Sequence, residues 1–169
     1  MPSPRIILVD GYNVINRVPE LTLSLNEGLE SARRRLALQV SRWRHAHPGV
    51  ECLVVFDGDP RYAGTAREQL LAGVRCLFSK ASHGGDDEII RFVRNYRGEA
   101  TDIVVVSDDN NVRNNSRAHG ASVEPASFIM TRKERRSGAR RELRDGGKAI
   151  DQNTAARIDR ELRKKFGVS

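Results

Sequence analysis

Three short apolar runs, each closing on an aspartate, constrain this chain more than any other feature. They are Ile6-Ile7-Leu8-Val9-Asp10, Leu53-Val54-Val55-Phe56-Asp57 and Ile103-Val104-Val105-Val106-Ser107-Asp108. A continuous β-branched run without polar alternation suits a strand buried on both faces, the usual state of a strand in a parallel sheet. A carboxylate at the end of each run puts several acidic groups at one edge of that sheet, provided the strands lie side by side.

The segments between the runs support such a sheet. From Glu27 to about Ala46, the residues Leu29, Ala32, Leu36, Val40 and Trp43 recur at three- and four-residue steps, which predicts a helix that Pro48-Gly49 stops. Arg33, Arg34, Arg42 and Arg44 fall mostly off that stripe and read as a solvated face. Residues 13–26 read as a loop or short helix, 61–72 as a short helix, 74–78 as a strand and 79–85 as a loop. A second amphipathic helix follows over 86–96, with Ile89, Ile90, Val93 and Tyr96 on its stripe. A polar helix over 109–119 and a last strand at 121–124 complete the pattern. Strands alternating with helices imply βαβ units: an α/β chain with three α/β/α layers and a central, mainly parallel, Rossmann-like sheet. Ligands of such sheets bind outside the carboxyl ends of the strands, near the point where strand order reverses.

Charge divides the chain at about residue 130. Residues 131–169 hold thirteen Lys/Arg against six Asp/Glu; taken from totals of 29 and 22, this leaves sixteen of each in residues 1–130, so the net +7 resides in the last quarter. We read 1–130 as the folded domain and 131–169 as a basic helical extension, with helices at 126–136 and 151–166 around an Arg/Gly-rich stretch at 137–147. A neutral body with a basic extension suits a polyanionic partner, nucleic acid or a ribonucleoprotein. Cys52 and Cys76 lie inside apolar runs as buried thiols, and His45, His47, His83 and His119 lack zinc-site spacing. A run of only four apolar residues leads into Asp10, too few for a signal-peptide core or a membrane span, which leads us to expect a cytoplasmic protein with no membrane partner.

Each acidic position has an ordinary structural reading. Asp10 and Asp57 precede glycine and can open turns, Asp86, Asp87 and Glu88 suit a first helical turn, and Asp108 suits a helix cap. Their collective reading is stronger. Two carboxylates about 4 Å apart repel by roughly 4 kcal/mol at an effective dielectric of about 20, so a cluster must take up protons or a cation. With oxygen donors only, that cation is Mg²⁺ or Mn²⁺ rather than zinc. Asp86, four residues before Ile90, points back toward the sheet edge, and Gly84-Gly85 would let a phosphate or metal approach the backbone. Asn13 either orients a water or phosphate oxygen or is a turn residue. A divalent ion in a carboxylate cage beside basic surface suits phosphodiester hydrolysis.

Four segments together resemble a known family. Ile7-Leu8-Val9-Asp10-Gly11-Tyr12-Asn13-Val14-Ile15, Val54-Val55-Phe56-Asp57, Gly85-Asp86-Asp87-Glu88-Ile89-Ile90 and Val105-Val106-Ser107-Asp108-Asp109 resemble, in order, the acidic motifs of NYN-domain proteins, most closely the YacP-like branch of the PIN-like nucleases. The resemblance covers roughly residues 5–130, with Gly85 where the family often has alanine. It implies a PIN-like fold, Mg²⁺- or Mn²⁺-dependent ribonuclease activity, and an acidic site at Asp10, Asp57, Asp86 and Asp108. It further implies endonucleolytic cleavage of mRNA in association with the ribosome.

The first expectation is therefore a metal-dependent endoribonuclease in which Asp10, Asp57 and Asp108 bind metal, Asp86 completes the cage and Asn13 positions water or phosphate. The alternative is a non-catalytic RNA- or ribosome-binding adaptor with a vestigial site. A phosphatase or receiver domain also has acidic strand ends, but a receiver wants a lysine after a late strand that this chain does not offer.

Overall fold

The structure is a computed structural model that describes residues 5–58, 68–80, 84–99 and 102–130. The basic extension at 131–169 lies outside the described residues, as does most of the segment 126–136 expected to be helical.

The three Asp-terminated runs become the middle of one sheet. Strand β1 (Arg5–Asp10) pairs in parallel with β2 (Val50–Phe56) on one side and β5 (Ile103–Val106) on the other. Beyond β2 lies β4 (Val74–Phe78), also parallel; beyond β5 lies β6 (Ser122–Glu124), parallel again. Strand β3 (Glu68–Leu71) joins the edge antiparallel to β4, giving the order β3-β4-β2-β1-β5-β6. The chain leaves β1 toward β2 and β4, then returns past β1 to β5 and β6. Strand order thus reverses between β1 and β5, where open α/β sheets form their binding crevice.

Helices cover both faces of the sheet. Alternate residues of each strand point to opposite sides. Ile7 and Val9 of β1, with Cys52, Val54 and Phe56 of β2 and Val104 and Val106 of β5, form one core with Ala32, Leu36, Ala37 and Val40 of helix α3 (Leu29–His45). Leu8, Leu53, Val55, Ile103 and Val105 form a second core with Ile89 and Val93 of α4 (Gly85–Asn95) and Val112 of α5 (Asn110–Ala118). The first core also takes Val14 and Ile15 of α1 (Gly11–Arg17) and Leu21 of α2 (Pro19–Ser24). Pro19 is compatible with helix here because it opens α2, where its missing N–H costs no bond. Cys52 and Cys76 are free and buried, and burial pushes both thiols up to about 11. Among the described residues no helix is long and apolar enough to cross a membrane.

Two expectations need correction. In the segment expected to form a short helix, residues 68–71 are instead the edge strand β3, part of a hairpin with β4. The cause is local: Ala72 and Gly73 both have positive φ, 49° and 74°, the turn geometry whose twist matches a two-residue hairpin. Its residues are mostly exposed, so no apolar periodicity announces it. Residues 126–129 form a single 3-10 turn, and Met130 after it is extended.

Helix α1 begins directly at Gly11, with no connecting loop after Asp10. A Cβ at Gly11 would overlap the Phe56 ring and come within 2.8 Å of the Val55 carbonyl oxygen. Glycine is thus required for β1 to pass straight into α1 beside β2. We expect Gly11→Ala to cost about 1–3 kcal/mol through overpacking, read as a lower midpoint in urea denaturation with an unchanged slope.

Candidate active site at the carboxyl edge of the sheet

The site begins with one buried carboxylate. Asp10 ends β1 with only 7 % of its surface exposed, and its Oδ2 accepts a 2.7 Å hydrogen bond from Ser107 Oγ just beyond β5. That bond bridges the two strands between which the sheet order reverses. Burial pushes Asp10 up to about 7; the Ser107 hydroxyl opposes this, and the charges of Asp86 and Asp57 add to it.

Asp57 and Asp86 reach the same edge from β2 and α4. Asp57 directly follows β2, and its Oδ1 accepts the Gly85 N–H at the start of α4. A Cβ at residue 85 would stand 2.6 Å from that oxygen, so glycine lets the carboxylate close on the helix terminus. Asp86 is half-buried and its pKa is raised, first by burial and then by the charges of Asp109, Asp57 and Asp87, while the Asn111 side chain opposes the shift by hydrogen bonding. Asp87 is exposed.

The fourth expected position is arranged differently. Asp108 turns away from the cluster: its Oδ1 accepts the Ala126 N–H at 3.2 Å and lies 3.9 Å from the Arg113 guanidinium. Its neighbour Asp109 supplies the charge that acts on Asp86, and caps α5 by accepting the Val112 N–H at 3.1 Å. The reason is the alternation of side chains along extended backbone. With Ser107 directed at Asp10, the next residue faces the other way. Asn13 accepts the Asp108 N–H at 2.8 Å through Oδ1, tying the start of α1 to the loop after β5. The structure therefore brings together Asp10, Asp57, Asp86 and Asp109.

Residues that sequence reasoning passed over also shape this edge. Ser107 and Asn111 hold Asp10 and Asp86, and their only signal is a polar Ser-Asp-Asp-Asn-Asn run after a strand. Arg33 is not part of a solvated face. Its guanidinium lies 5.2–5.7 Å from the ring centres of Tyr12, Phe56 and Phe78, and its Nε donates to the Tyr12 hydroxyl at 2.8 Å. Arg34 on the same helix is exposed and pairs with Glu30, as expected.

Among the described residues the donor set fits a hard divalent cation in kind, since it offers carboxylate oxygens and neither imidazole nor thiolate. Among the described residues, however, no three Asp, Glu, His or Cys side chains already stand at metal-ligating spacing. The expected tight cage is thus an open, mutually repelling group. Its electrostatics still favour a cation, because added positive charge relieves the burial and repulsion that raise Asp10 and Asp86.

Comparison with known proteins agrees with this architecture. A family model described as a YacP-like NYN domain matches residues 7–167. Protein YacP of Bacillus subtilis is 30 % identical over 104 residues, a match spanning 62 % of this chain and 60 % of that protein. A crystal structure titled Rae1 (YacP) from Bacillus subtilis, a point mutant, superposes with a TM-score of 0.58 at 25 % identity, covering 99 % of this chain and 86 % of that one. A second structure of the same protein gives 0.56 at 27 % identity, covering 96 % and 92 %.

The raised Asp10 pKa makes stability depend on pH. Between about 4 and 7 the metal-free folded state holds a proton that the unfolded chain has released, so stability falls as pH rises through this window. The cost is complete above about pH 7, and the shift from 3.8 to about 7 corresponds to roughly 4 kcal/mol as an upper bound. With EDTA present, Asp10→Asn should be more stable than the parent at pH 8 and show no advantage at pH 4. Denaturation curves at the two pH values check this.

Proposed function

This chain belongs to the YacP-like NYN family, a PIN-like, nuclease-type group, and from that premise we propose that it is a Mg²⁺- or Mn²⁺-dependent endoribonuclease that hydrolyses phosphodiester bonds at the carboxyl edge of its sheet. The observation that carries this reading is the buried Asp10 at the reversal of strand order, with the charges of Asp57 and Asp86 acting on it. A structural turn would leave such an aspartate in water.

Asp10, Asp57 and Asp86 would hold the cation, with Asp109 contributing from the β5 side. When bound, it supplies Lewis acidity toward a phosphoryl oxygen and lowers the pKa of a coordinated water. The chain's own residues supply the preorganisation. Ser107 Oγ fixes one oxygen of Asp10, the Gly85 N–H fixes one oxygen of Asp57, and Asn111 orients Asp86. Asn13 acts through the backbone of Asp108, holding the β1 and β5 loops in register. Ser107 Oγ, which donates to Asp10, is fully buried, and this favours water as the attacking species.

The substrate we propose is RNA, and specifically mRNA engaged with the ribosome. The net charge of +7, concentrated in residues 131–169, supports a polyanionic partner, and the ribosome is what the resemblance of the acidic motifs implies.

Purified protein should cut RNA with Mg²⁺ or Mn²⁺ and lose this activity in EDTA. Asp10→Asn should lower kcat by at least about 10²-fold. Asp109→Asn should lower it more than Asp108→Asn, because Asp109 acts on Asp86 and Asp108 is committed to Ala126 and Arg113. Cleavage that survives Asp10→Asn and Asp109→Asn together would overturn the assignment, and RNA binding without cleavage under either cation would favour an adaptor.

A further inference from the structure

Helix α4 carries more than Asp86. Its buried side is Gly85, Ile89 and Val93, which pack toward the sheet. A different face, set by Asp87, Arg91 and Arg94 at steps of four and three residues, is exposed. Lys80, two residues beyond β4, joins it from a separate element. Together with Ile90 and Asn95 these residues line an open groove of about 530 Å³.

The charge in this groove is poorly neutralised from within. Arg91 lies 3.7 Å from Glu88, one turn back, but neither Lys80 nor Arg94 has a carboxylate partner among the described residues. From Asp87 to Arg94 the helix rises by about 10 Å, at about 1.5 Å per residue. Along that length Asp87 is negative at the site end and the cations are Arg91 and Arg94, about 4.5 Å of rise apart; with Lys80 from a separate element they offer three positive groups, which suits successive backbone phosphates better than one small anion. The groove also starts where the candidate site stops, since Asp87 adjoins Asp86.

We infer that this groove is the track for single-stranded RNA on one side of the cleaved bond, with Lys80, Arg91 and Arg94 gripping backbone phosphates. The inference rests on the nuclease reading above and adds the path of the strand. It answers a physical difficulty of that reading: a carboxylate cluster repels the phosphates it must act on, and cations along the approach offset the repulsion. Contacts of this kind give affinity and register without sequence preference.

Binding measured on an uncleaved strand tests it. The full chain carrying Asp10→Asn is titrated with a short fluorescent single-stranded RNA between about 50 and 200 mM salt. Adding Lys80→Ala, Arg91→Ala and Arg94→Ala together should weaken binding by about tenfold or more. It should also reduce the salt slope by about 2, since each lost phosphate contact on a single strand removes roughly 0.7. Arg91→Lys with Arg94→Lys should retain the slope. Arg34→Ala with Arg35→Ala, on the opposite face of the sheet, should leave it unchanged. An unchanged slope in the triple variant, an equal fall in the α3 control, or no RNA binding by the Asp10→Asn chain overturns the inference. Failure of the parent chain to cleave RNA counts against the nuclease reading instead, because the groove is read without cleavage.

Discussion

A side-chain hydrogen bond, from Ser107 Oγ to Asp10 Oδ2, ties together the carboxyl ends of the two strands between which this sheet reverses its order. It stabilises a carboxylate that is otherwise badly placed, since Asp10 is almost wholly removed from water and lies near two more negative charges. The surrounding architecture follows from that placement. Gly11 lets the chain leave the strand without a side chain where Phe56 lies, and α1 starts at once. Asn13 then ties α1 to the loop after β5. Buried polar groups that are fully bonded fix one arrangement, and partly bonded ones cost stability. Asp10 is hydrogen-bonded by Ser107 and by the Asn13 backbone yet its pKa stays raised by burial and neighbouring charge, which is the state expected of a functional group rather than a structural one.

The two faces of the sheet carry different duties. The α3 face is apolar and deep, with Arg33 lying over Tyr12, Phe56 and Phe78 at its upper edge. The α4 face is thinner, and its helix does two jobs. The first turn donates the Gly85 N–H to Asp57 and presents Asp86 to the site, while the outer side lines the basic groove. A helix N-terminus favours anions and its outer face is free to carry cations, so acid and base can sit within about two turns of each other. A nuclease needs that proximity: negative groups to gather a cation, and positive ones to hold the strand that the negative groups repel.

Much of the fold was legible in the sequence because burial writes itself into composition. The β-branched runs at 6–9, 53–56 and 103–106 became the three central strands, and the stripes over 27–46 and 86–96 became α3 and α4. The hairpin strand β3 was not legible, since an exposed edge strand has little apolar pattern and the backbone of Ala72-Gly73 decided it. In the site, Asp10, Asp57 and Asp86 were visible as carboxylates closing apolar runs or opening a helix. Ser107, Asn111 and the different partners of Asp108 and Asp109 were not, because they depend on the direction each side chain takes in the loop after β5 and the first turn of α5.

What the sequence determined by itself is the layered α/β architecture and the presence of acidic groups at strand ends, since both follow from local periodicity and from where apolar runs stop. What only the tertiary structure decided is which carboxylates face one another, and that α4 carries a basic groove beside them. Strand order and side-chain direction set those relations. They are fixed by packing between residues as far apart in the chain as Asp10 and Ser107, and no local pattern encodes them.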